Sequence, residues 1–331
     1  MKLTAQAPLM DTDGHVVEPL LVVDLDAPES GALAAARASE RLVIGVTTGN
    51  PADPELAAAL DVTLGPGEGP EFVDADPDTV LPVLQASASA NPQASLTLKQ
   101  VLRTGSLDVG AGLDVESFAY STLLGGPEFA AWLRRRGERP LPPPSPQEPV
   151  LIDRDGARLL VALNRPERRN AYGREVRLGL VDALTVAALD DSIEHVVLTG
   201  NGPSFSAGGD LDEFGTAPDL TMAHFIRTRG GAGLLLHQLR DRVEARVQGS
   251  CVGAGIELPA FAGRLVAHPD TTFRLPEIAM GLIPGAGGTV SIPRRIGRWR
   301  TLFMALTAQP VDTSTALAWG LIDATAESTT D

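Results

Sequence analysis

Three glycine clusters are the first residues of this sequence that could do chemistry together. "SAGGD" (206–210) follows a predicted buried strand, "GSCVGAG" (249–255) follows a strand and opens a predicted helix, and "GLIPGAGGT" spans 281–289. Small residues let a ligand approach the main chain closely, and the N–H groups at a helix start are unpaired. Two such N–H groups converging on one oxygen would polarise a carbonyl and hold an enolate.

Two glutamates accompany the clusters. Glu257 falls in the first turn of the predicted helix, and Glu277 follows a strand in "RLPEI". A pair of carboxylates flanking a polarised carbonyl could hold and activate one water molecule. Capping of the helix by Glu257 and a loop salt bridge by Glu277 explain the same spacing. The residues alone therefore leave both interpretations open.

Phosphate-binding loops are excluded for these clusters. A Walker A loop needs Gly-Lys-Ser/Thr, and the clusters contain no lysine. A dinucleotide fingerprint beginning at Gly253 and Gly255 needs a glycine where Leu258 stands.

The second half of the chain alternates between predicted strands and helices. Residues 150–164 predict two strands with a turn at Asp155-Gly156. A helix follows, with an apolar face formed by Val176, Leu180, Leu184 and Ala187. "DRVEARVQG" predicts a strand with an apolar face of Val243, Ala245 and Val247 and a polar face of Arg242, Glu244 and Arg246. The series predicts an α/β fold of stacked βαβ units with parallel pairing.

A proline-rich segment divides the chain. In "PLPPPSPQEP" (140–149), six of ten residues are proline, which favours an extended linker. The sequence thus predicts a domain over 1–139, a linker over 140–149 and a domain over 150–331. The first domain contains two predicted strands, "LLVVDLD" and "RLVIGVTTG", and then three predicted helices in a row over residues 77–136.

Composition narrows the classes of function. The chain has 331 residues, 44% of them hydrophobic, and a net charge of −15, which argues against a nucleic-acid surface. One cysteine gives no disulfide framework. No apolar run approaches a membrane span and no signal peptide is recognisable. The five histidines show no metal-ligand spacing. We expect a cytoplasmic protein without metal.

Five motifs over 150–323 resemble the enoyl-CoA hydratase/isomerase (crotonase) superfamily in order and spacing. They are "LNRPERRNA" (163–171), "LTGNGPSFSAGGDLDEF" (198–214), "VQGSCVGAGIEL" (247–258), "TTFRLPEIAMGLIPGAGGT" (271–289) and "ALAWGLID" (316–323). The resemblance implies a crotonase-like ββα superhelix and a coenzyme A thioester as substrate, with no further cofactor.

The resemblance also assigns roles to residues. The backbone N–H groups of Gly209 and Ala254 would form the oxyanion hole for the thioester oxygen. Glu257 would orient water and take its proton, and Glu277 would protonate the α-carbon. Coenzyme A would lie along residues 163–171 and the backbone of 206–208. The matched positions in these segments are Arg165, Arg168, Arg169, Ala171, Ser206, Ala207 and Gly208.

The chain departs from the family pattern in two places. The strand before "VQG" is charged, which suggests a polar face paired with the first half of the chain. Family members continue past "GLID" with helices that cover the site and build a trimer, whereas 72–137 contain segments resembling those helices. Residues 15–137 are therefore interpreted as a degenerate crotonase module without an oxyanion hole. Its helices would cap the second module within one chain or across a trimer or hexamer.

Enoyl-CoA hydratase, a lyase of fatty acid metabolism, is the activity that the paired glutamates favour. The alternatives are an enoyl-CoA isomerase, a cofactor-independent acyl-CoA dioxygenase and a non-catalytic CoA-thioester-binding subunit of a heteromeric complex.

Overall fold

The structure is a computed structural model that describes residues 8–49, 53–105 and 107–327. Within these residues the first domain contains a parallel sheet in the order β1-β2-β3-β4. Its strands are β1 (Leu20–Asp24), β2 (Leu42–Val46), β3 (Val62–Leu64) and β4 (Phe72–Val73), with helices α1 (Ala32–Ala38) and α2 (Pro54–Ala59) in the first two connections. The uninterrupted apolar run of β2 suits a strand covered on both faces.

Four helices follow this sheet in the described residues, where the sequence predicted three. They are α3 (Pro77–Ala90), α4 (Pro92–Leu102), α5 (Val109–Leu124) and α6 (Pro127–Arg136). The sequence predicted a single helix where the structure has α5 and α6. This prediction was wrong because Gly125-Gly126 ends α5 and Pro127 starts α6. Proline is favoured at a first helical position and glycine at helix ends.

The second domain is built on a sheet in the order β13-β10-β8-β7-β6-β5. Its strands are β5 (Val150–Asp155), β6 (Arg158–Leu163), β7 (His195–Gly200), β8 (Val243–Val247), β10 (Arg264–Ala267) and β13 (Ala324–Thr325). Strands β5 and β6 form the predicted antiparallel hairpin, and the other neighbours in this sheet pair in parallel. A smaller sheet has the order β12-β11-β9, from β9 (Ser250–Val252), β11 (Thr272–Arg274) and β12 (Val311–Asp312).

Helices pack around these two sheets. They are α7 (Arg174–Leu189), α8 (Leu220–Arg229), α9 (Gly233–Gln238), α10 (Ala254–Glu257), α11 (Gly288–Thr307), which is kinked at Gly297, and α12 (Thr313–Trp319). The predicted apolar face of α7 is confirmed, since Val176, Leu180, Leu184 and Ala187 are all buried. The α/β fold with parallel pairing is confirmed as well.

The polar face of β8 has its partners inside the second domain. Glu244 pairs with Arg246 (Oε1···Nε 2.6 Å) and with Arg264 on β10 (Oε2···Nε 3.1 Å). Arg242 donates to the Ile193 carbonyl. The suggestion that this face pairs with the first half of the chain was wrong, because charges on neighbouring segments of the same domain neutralise it.

Helices of the first domain lie on the second. In the described residues α3, α4 and α5 all contact α11, and α5 also packs along α8. The segment 137–149 between the domains contains no helix or strand and is mostly exposed. The helices that precede the linker therefore cover the second domain of their own chain. Among the described residues, no helix is both long and apolar enough to cross a membrane.

Candidate active site

The first glycine cluster lies directly against the second. The Ser206 carbonyl accepts the Val252 N–H with an N···O distance of 3.1 Å. Gly208 adopts a φ of +93°, and a Cβ built there would lie 2.6 Å from the Val252 carbonyl oxygen. Only glycine fits this conformation and this close approach. The loop that carries Gly209 is thereby held beside the segment that enters α10.

The two backbone N–H groups singled out from the sequence are unpaired. Among the hydrogen bonds of the described residues, none is donated by the N–H of Gly209 or of Ala254. Ala254 is buried, and the Phe214 ring covers Gly209, since a Cβ built on Gly209 would lie 2.8 Å from Phe214 Cε1. Unpaired donors in a buried position suit the binding of an oxygen atom that develops charge.

Glu257 stands in the single turn of α10 and is 2% exposed. Its Oε2 accepts the Ala286 N–H (N···O 2.7 Å) and the Gly288 N–H (N···O 2.9 Å). Both donors belong to the third glycine cluster, at the start of α11. The three clusters thus meet at Glu257, and the carboxyl group has a fixed orientation.

Glu277 opens a short 3₁₀ turn after β11 and is 7% exposed. Its Oε2 is buried without a hydrogen-bond partner among the described residues. A Cβ built on Gly253, where φ is +50°, would lie 2.5 Å from Glu277 Oε1 and 3.7 Å from Glu257 Oε1. The two carboxyl groups therefore face the same small space beside the backbone that leads to Ala254.

Burial raises the pKa of both carboxyl groups. It raises the pKa of Glu277 to about 8, with the charge of Glu116 adding to the effect. Burial also raises the pKa of Glu257, and the charges of Glu277 and Glu116 raise this pKa further. The hydrogen bonds from the Ala286 and Gly288 N–H groups lower the pKa of Glu257 and oppose that rise. Two N–H donors stabilise the ionised form of Glu257, whereas Glu277 Oε2 has no such donor among the described residues. The arrangement can hold a base and an acid side by side.

The family model for enoyl-CoA hydratase/isomerase matches residues 154–329. The chain belongs to this family. The 2,3-dehydroadipyl-CoA hydratase of Escherichia coli is 36% identical over 173 residues, which are 52% of this chain and 67% of that protein. The 1,2-epoxyphenylacetyl-CoA isomerase of E. coli is 35% identical over 169 residues, which are 50% of this chain and 64% of that protein.

Two solved structures share the fold of this part of the chain. DspI of Pseudomonas aeruginosa superposes with a TM-score of 0.51 at 32% identity, over 55% of this chain and 70% of that protein. An enoyl-CoA hydratase subunit of Geobacillus kaustophilus gives a TM-score of 0.50 at 27% identity, over 54% of this chain and 68% of that protein. These matches concern about half of the chain. The interpretation of residues 15–137 as a degenerate crotonase module stays a prediction.

The three arginines proposed for coenzyme A have different surroundings. Arg165 is buried and pairs with Glu175 (Nη1···Oε2 2.8 Å). Arg168 pairs with Asp210 (Nη2···Oδ1 2.7 Å) and Asp212 (Nη2···Oδ2 2.9 Å), and these hydrogen bonds raise its pKa. Arg169 is exposed and forms no ion pair among the described residues. It is the best placed of the three to meet a phosphate.

The remaining predicted contacts form one paired edge. The Ala207 N–H donates to the Arg169 carbonyl (N···O 2.9 Å), and the Tyr172 N–H donates to the Gly208 carbonyl (N···O 2.7 Å). The Ser206 hydroxyl donates to the Asn170 carbonyl (O···O 2.8 Å). Residues 206–208 therefore lie beside 169–172, and half-buried Ala171 lies within this edge.

A third glutamate joins the site from the first domain. Glu116, on α5, is 2% exposed and accepts hydrogen bonds from the start of α11. The motif "GLDVE" (112–116), which resembles a late helix of the family, was the available signal. The sequence assigned this glutamate no role because its contacts depend on how the two domains pack.

Asp11, Asp13 and His15 form a group of possible metal ligands away from this site, with ligand atoms within 4.8 Å of one another. All three are exposed, and Asp11 Oδ1 already accepts the N–H groups of Asp13 and His15. The spacing of the histidines alone did not predict this group of one histidine and two aspartates.

Proposed function

We propose that the protein is an enoyl-CoA hydratase that adds water across the α,β double bond of an acyl-CoA thioester. The observation that carries the proposal is the pair of buried carboxyl groups, Glu257 and Glu277, on one small space beside Gly253. Unpaired N–H groups of Gly209 and Ala254 border the same region. Activation of water next to a polarised thioester needs this set of groups.

The reaction then follows from the two glutamates. The N–H groups of Gly209 and Ala254 hold the thioester oxygen and withdraw electrons from the double bond. Ionised Glu257 takes a proton from water, and the hydroxide oxygen forms a bond to the β-carbon. Negative charge moves to the thioester oxygen, where the two N–H groups stabilise it. Protonated Glu277 gives its proton to the α-carbon, which completes the addition of one water molecule. Transfer of the proton from Glu257 to Glu277, directly or through solvent, restores the starting protonation states.

The first test replaces each glutamate by glutamine. We expect E257Q and E277Q each to lower kcat for hydration of a short enoyl-CoA by about 10²- to 10⁴-fold, the usual contribution of general acid–base catalysis. Loss of the conjugated double bond is followed by absorbance across a panel of enoyl-CoA thioesters. E167Q, which changes an exposed glutamate of the "LNRPERRNA" motif, is the matched control. Hydration that survives in both site variants would overturn the proposal.

Double-bond isomerisation is the second candidate. Glu277 Oε2 has no hydrogen-bond partner among the described residues, and a carboxyl oxygen without a fixed donor can take a proton from one carbon and return it to another. Loss of the conjugated absorbance follows both reactions, so the mass of the product decides between the two: hydration adds the mass of one water molecule, whereas isomerisation leaves the mass unchanged. Oxygen uptake would instead indicate the dioxygenase, and thioester binding without turnover would indicate a binding subunit.

A further inference from the structure

Four consecutive N–H groups at the start of α11 are divided between two buried glutamates. Glu257 Oε2 accepts the N–H groups of Ala286 and Gly288. Glu116 accepts the other two N–H groups, those of Gly287 (N···Oε1 2.7 Å) and Thr289 (N···Oε2 2.9 Å). The Thr289 hydroxyl also donates to Glu116 Oε2 at 2.7 Å. A change in the position of this segment would therefore move both carboxyl groups.

One face of α5 fixes the segment along its whole length. Gly112, Glu116 and Tyr120 are spaced four residues apart and so lie on one side of the helix. A Cβ built on Gly112 would lie 3.1 Å from Val290 Cγ2, and one built on Gly285 would lie 2.3 Å from Tyr120 Cδ2. Glu116 stands between these two contacts. It supplies the hydrogen bonds, and its neighbours supply the packing.

We infer that Glu116 is a positioning residue for the proposed hydration. It fixes the start of α11, and through Ala286 and Gly288 it fixes the orientation of Glu257; its negative charge also helps Glu277 to keep its proton. The inference rests on the proposed function. It adds a residue of the first domain to the active site, although Glu116 acts through the main chain of 286–289.

The charged and titratable groups around Glu116 support this assignment. Burial raises the pKa of Glu116 to about 7, while its hydrogen bonds to Thr289 and Gly287 and the charge of Arg227 on α8 oppose that rise. Tyr120 lies on the same helix, and Glu257 and Glu277 face the cluster from the second domain. Arg274 acts on Glu277 in the opposite sense, lowering its pKa. Above neutral pH, ionised Glu116 makes deprotonation of Glu277 harder.

The test is E116Q, which keeps the shape of the side chain but removes its charge and turns one acceptor into a donor. We expect kcat for enoyl-CoA hydration to fall about 10- to 100-fold, as for a small misplacement of a catalytic group. KM should stay within about twofold because Glu116 does not touch the substrate. The alkaline limb of the kcat profile should move to lower pH, since Glu277 loses its proton more easily.

E128Q is the matched control. Glu128 on α6 also accepts two N–H groups at a helix start, those of Gln93 and Ala94 on α4, and within the described residues none of its hydrogen bonds goes to 286–289. E128Q should reduce stability and leave the alkaline limb in place. If the limb moves equally in both variants, or moves in neither, Glu116 is only a structural cap and the inference is wrong.

A readout without turnover separates this inference from the proposed function. Carbon-13 NMR of labelled glutamate carboxyl groups, assigned with E257Q and E277Q, reports the titration of Glu277 directly. In E116Q that titration should move to lower pH even if the parent hydrates no thioester, in which case only the proposed function fails. An unchanged titration would overturn the inference regardless of activity.

Discussion

Glu277 has to carry a proton when it acts as the acid of the proposed reaction. Burial raises its pKa to about 8, so the protonated form predominates at neutral pH and disappears as the pH rises through that value. We therefore expect kcat/KM for hydration to fall as the pH rises through about 8, and to fall at acid pH as well, where Glu257 takes up a proton and no longer acts as the base. A pH–rate profile of the parent enzyme measures this directly. A rate that stays constant well above pH 8 would exclude Glu277 as the proton donor.

Arg169 is expected to bind a phosphate of coenzyme A, because Arg165 and Arg168 are already neutralised by carboxylates. An exposed ion pair contributes up to about 1 kcal/mol, so R169A should raise KM for an enoyl-CoA about fivefold with little change in kcat. The corresponding pantetheine thioester lacks the nucleotide phosphates, and its KM should not change.

R168A is the control for this prediction. Arg168 holds Asp210 and Asp212, so its removal should lower stability rather than weaken coenzyme A binding alone. If R169A raises KM equally for the coenzyme A and pantetheine thioesters, Arg169 does not bind a phosphate of the nucleotide.

The residues of the glycine clusters could be located from the sequence, because each depends on short-range chemistry. Gly208 and Gly253 have positive φ values and leave room for a close main-chain approach, and the spacing of small residues within a motif indicates such positions. The pairing of Arg168 with Asp210 could not be predicted from the sequence. A charged side chain in a motif can bind a ligand or a neighbouring carboxylate, and only the fold decides which.

At the level of elements, strands and amphipathic helices were predictable, and breaks inside helices were not. The face of α7 and the β5–β6 hairpin follow from periodicity and from Asp155-Gly156. The helix expected after "GSCVGAG" is reduced to the single turn of α10 and a 3₁₀ turn at Pro259–Phe261. Apolar residues continue through this region, so periodicity could not show where the helix ends.

The position of α5 illustrates what periodicity leaves undetermined. Its apolar and polar residues predict a helix, and its motif resembles a covering helix of the family. Neither property says that Glu116 reaches the N–H groups of Gly287 and Thr289. That contact depends on the packing of two segments far apart in the sequence, which a single sequence does not encode in a readable form.

For the whole molecule, a buried charge cluster joins the two domains. Asp61 on the loop into β3 is fully buried. It pairs with Arg103 (Oδ1···Nη2 2.7 Å), Lys99 (Oδ2···Nζ 3.5 Å) and Arg298 of α11 (Oδ1···Nη1 3.6 Å). Burial lowers the pKa of Lys99 to about 8, although the charge of Asp61 raises it. A single carboxylate thus holds cations from both domains.

D61N should therefore destabilise the whole chain. Removing one partner of a buried ion cluster leaves charges uncompensated, at a cost of about 3–5 kcal/mol in the free energy of unfolding. The loss should diminish as the pH rises from 7 to 10. Without Asp61 the pKa of Lys99 falls further below its unfolded value of 10.5, so over this range the unfolded chain binds more protons and stability rises with pH.

Urea unfolding of the parent, D61N and D76N at several pH values tests this prediction. Asp76 is an exposed N-cap of α3, and asparagine caps about as well as aspartate, so D76N should change the unfolding free energy by less than about 0.5 kcal/mol. A D61N protein as stable as D76N would mean that the cluster does not hold the domains together. The contact of Glu116 with α11 would then depend on the packing of α3, α4 and α5 against α11 and of α5 against α8, and the kinetics of D61N should equal those of the parent.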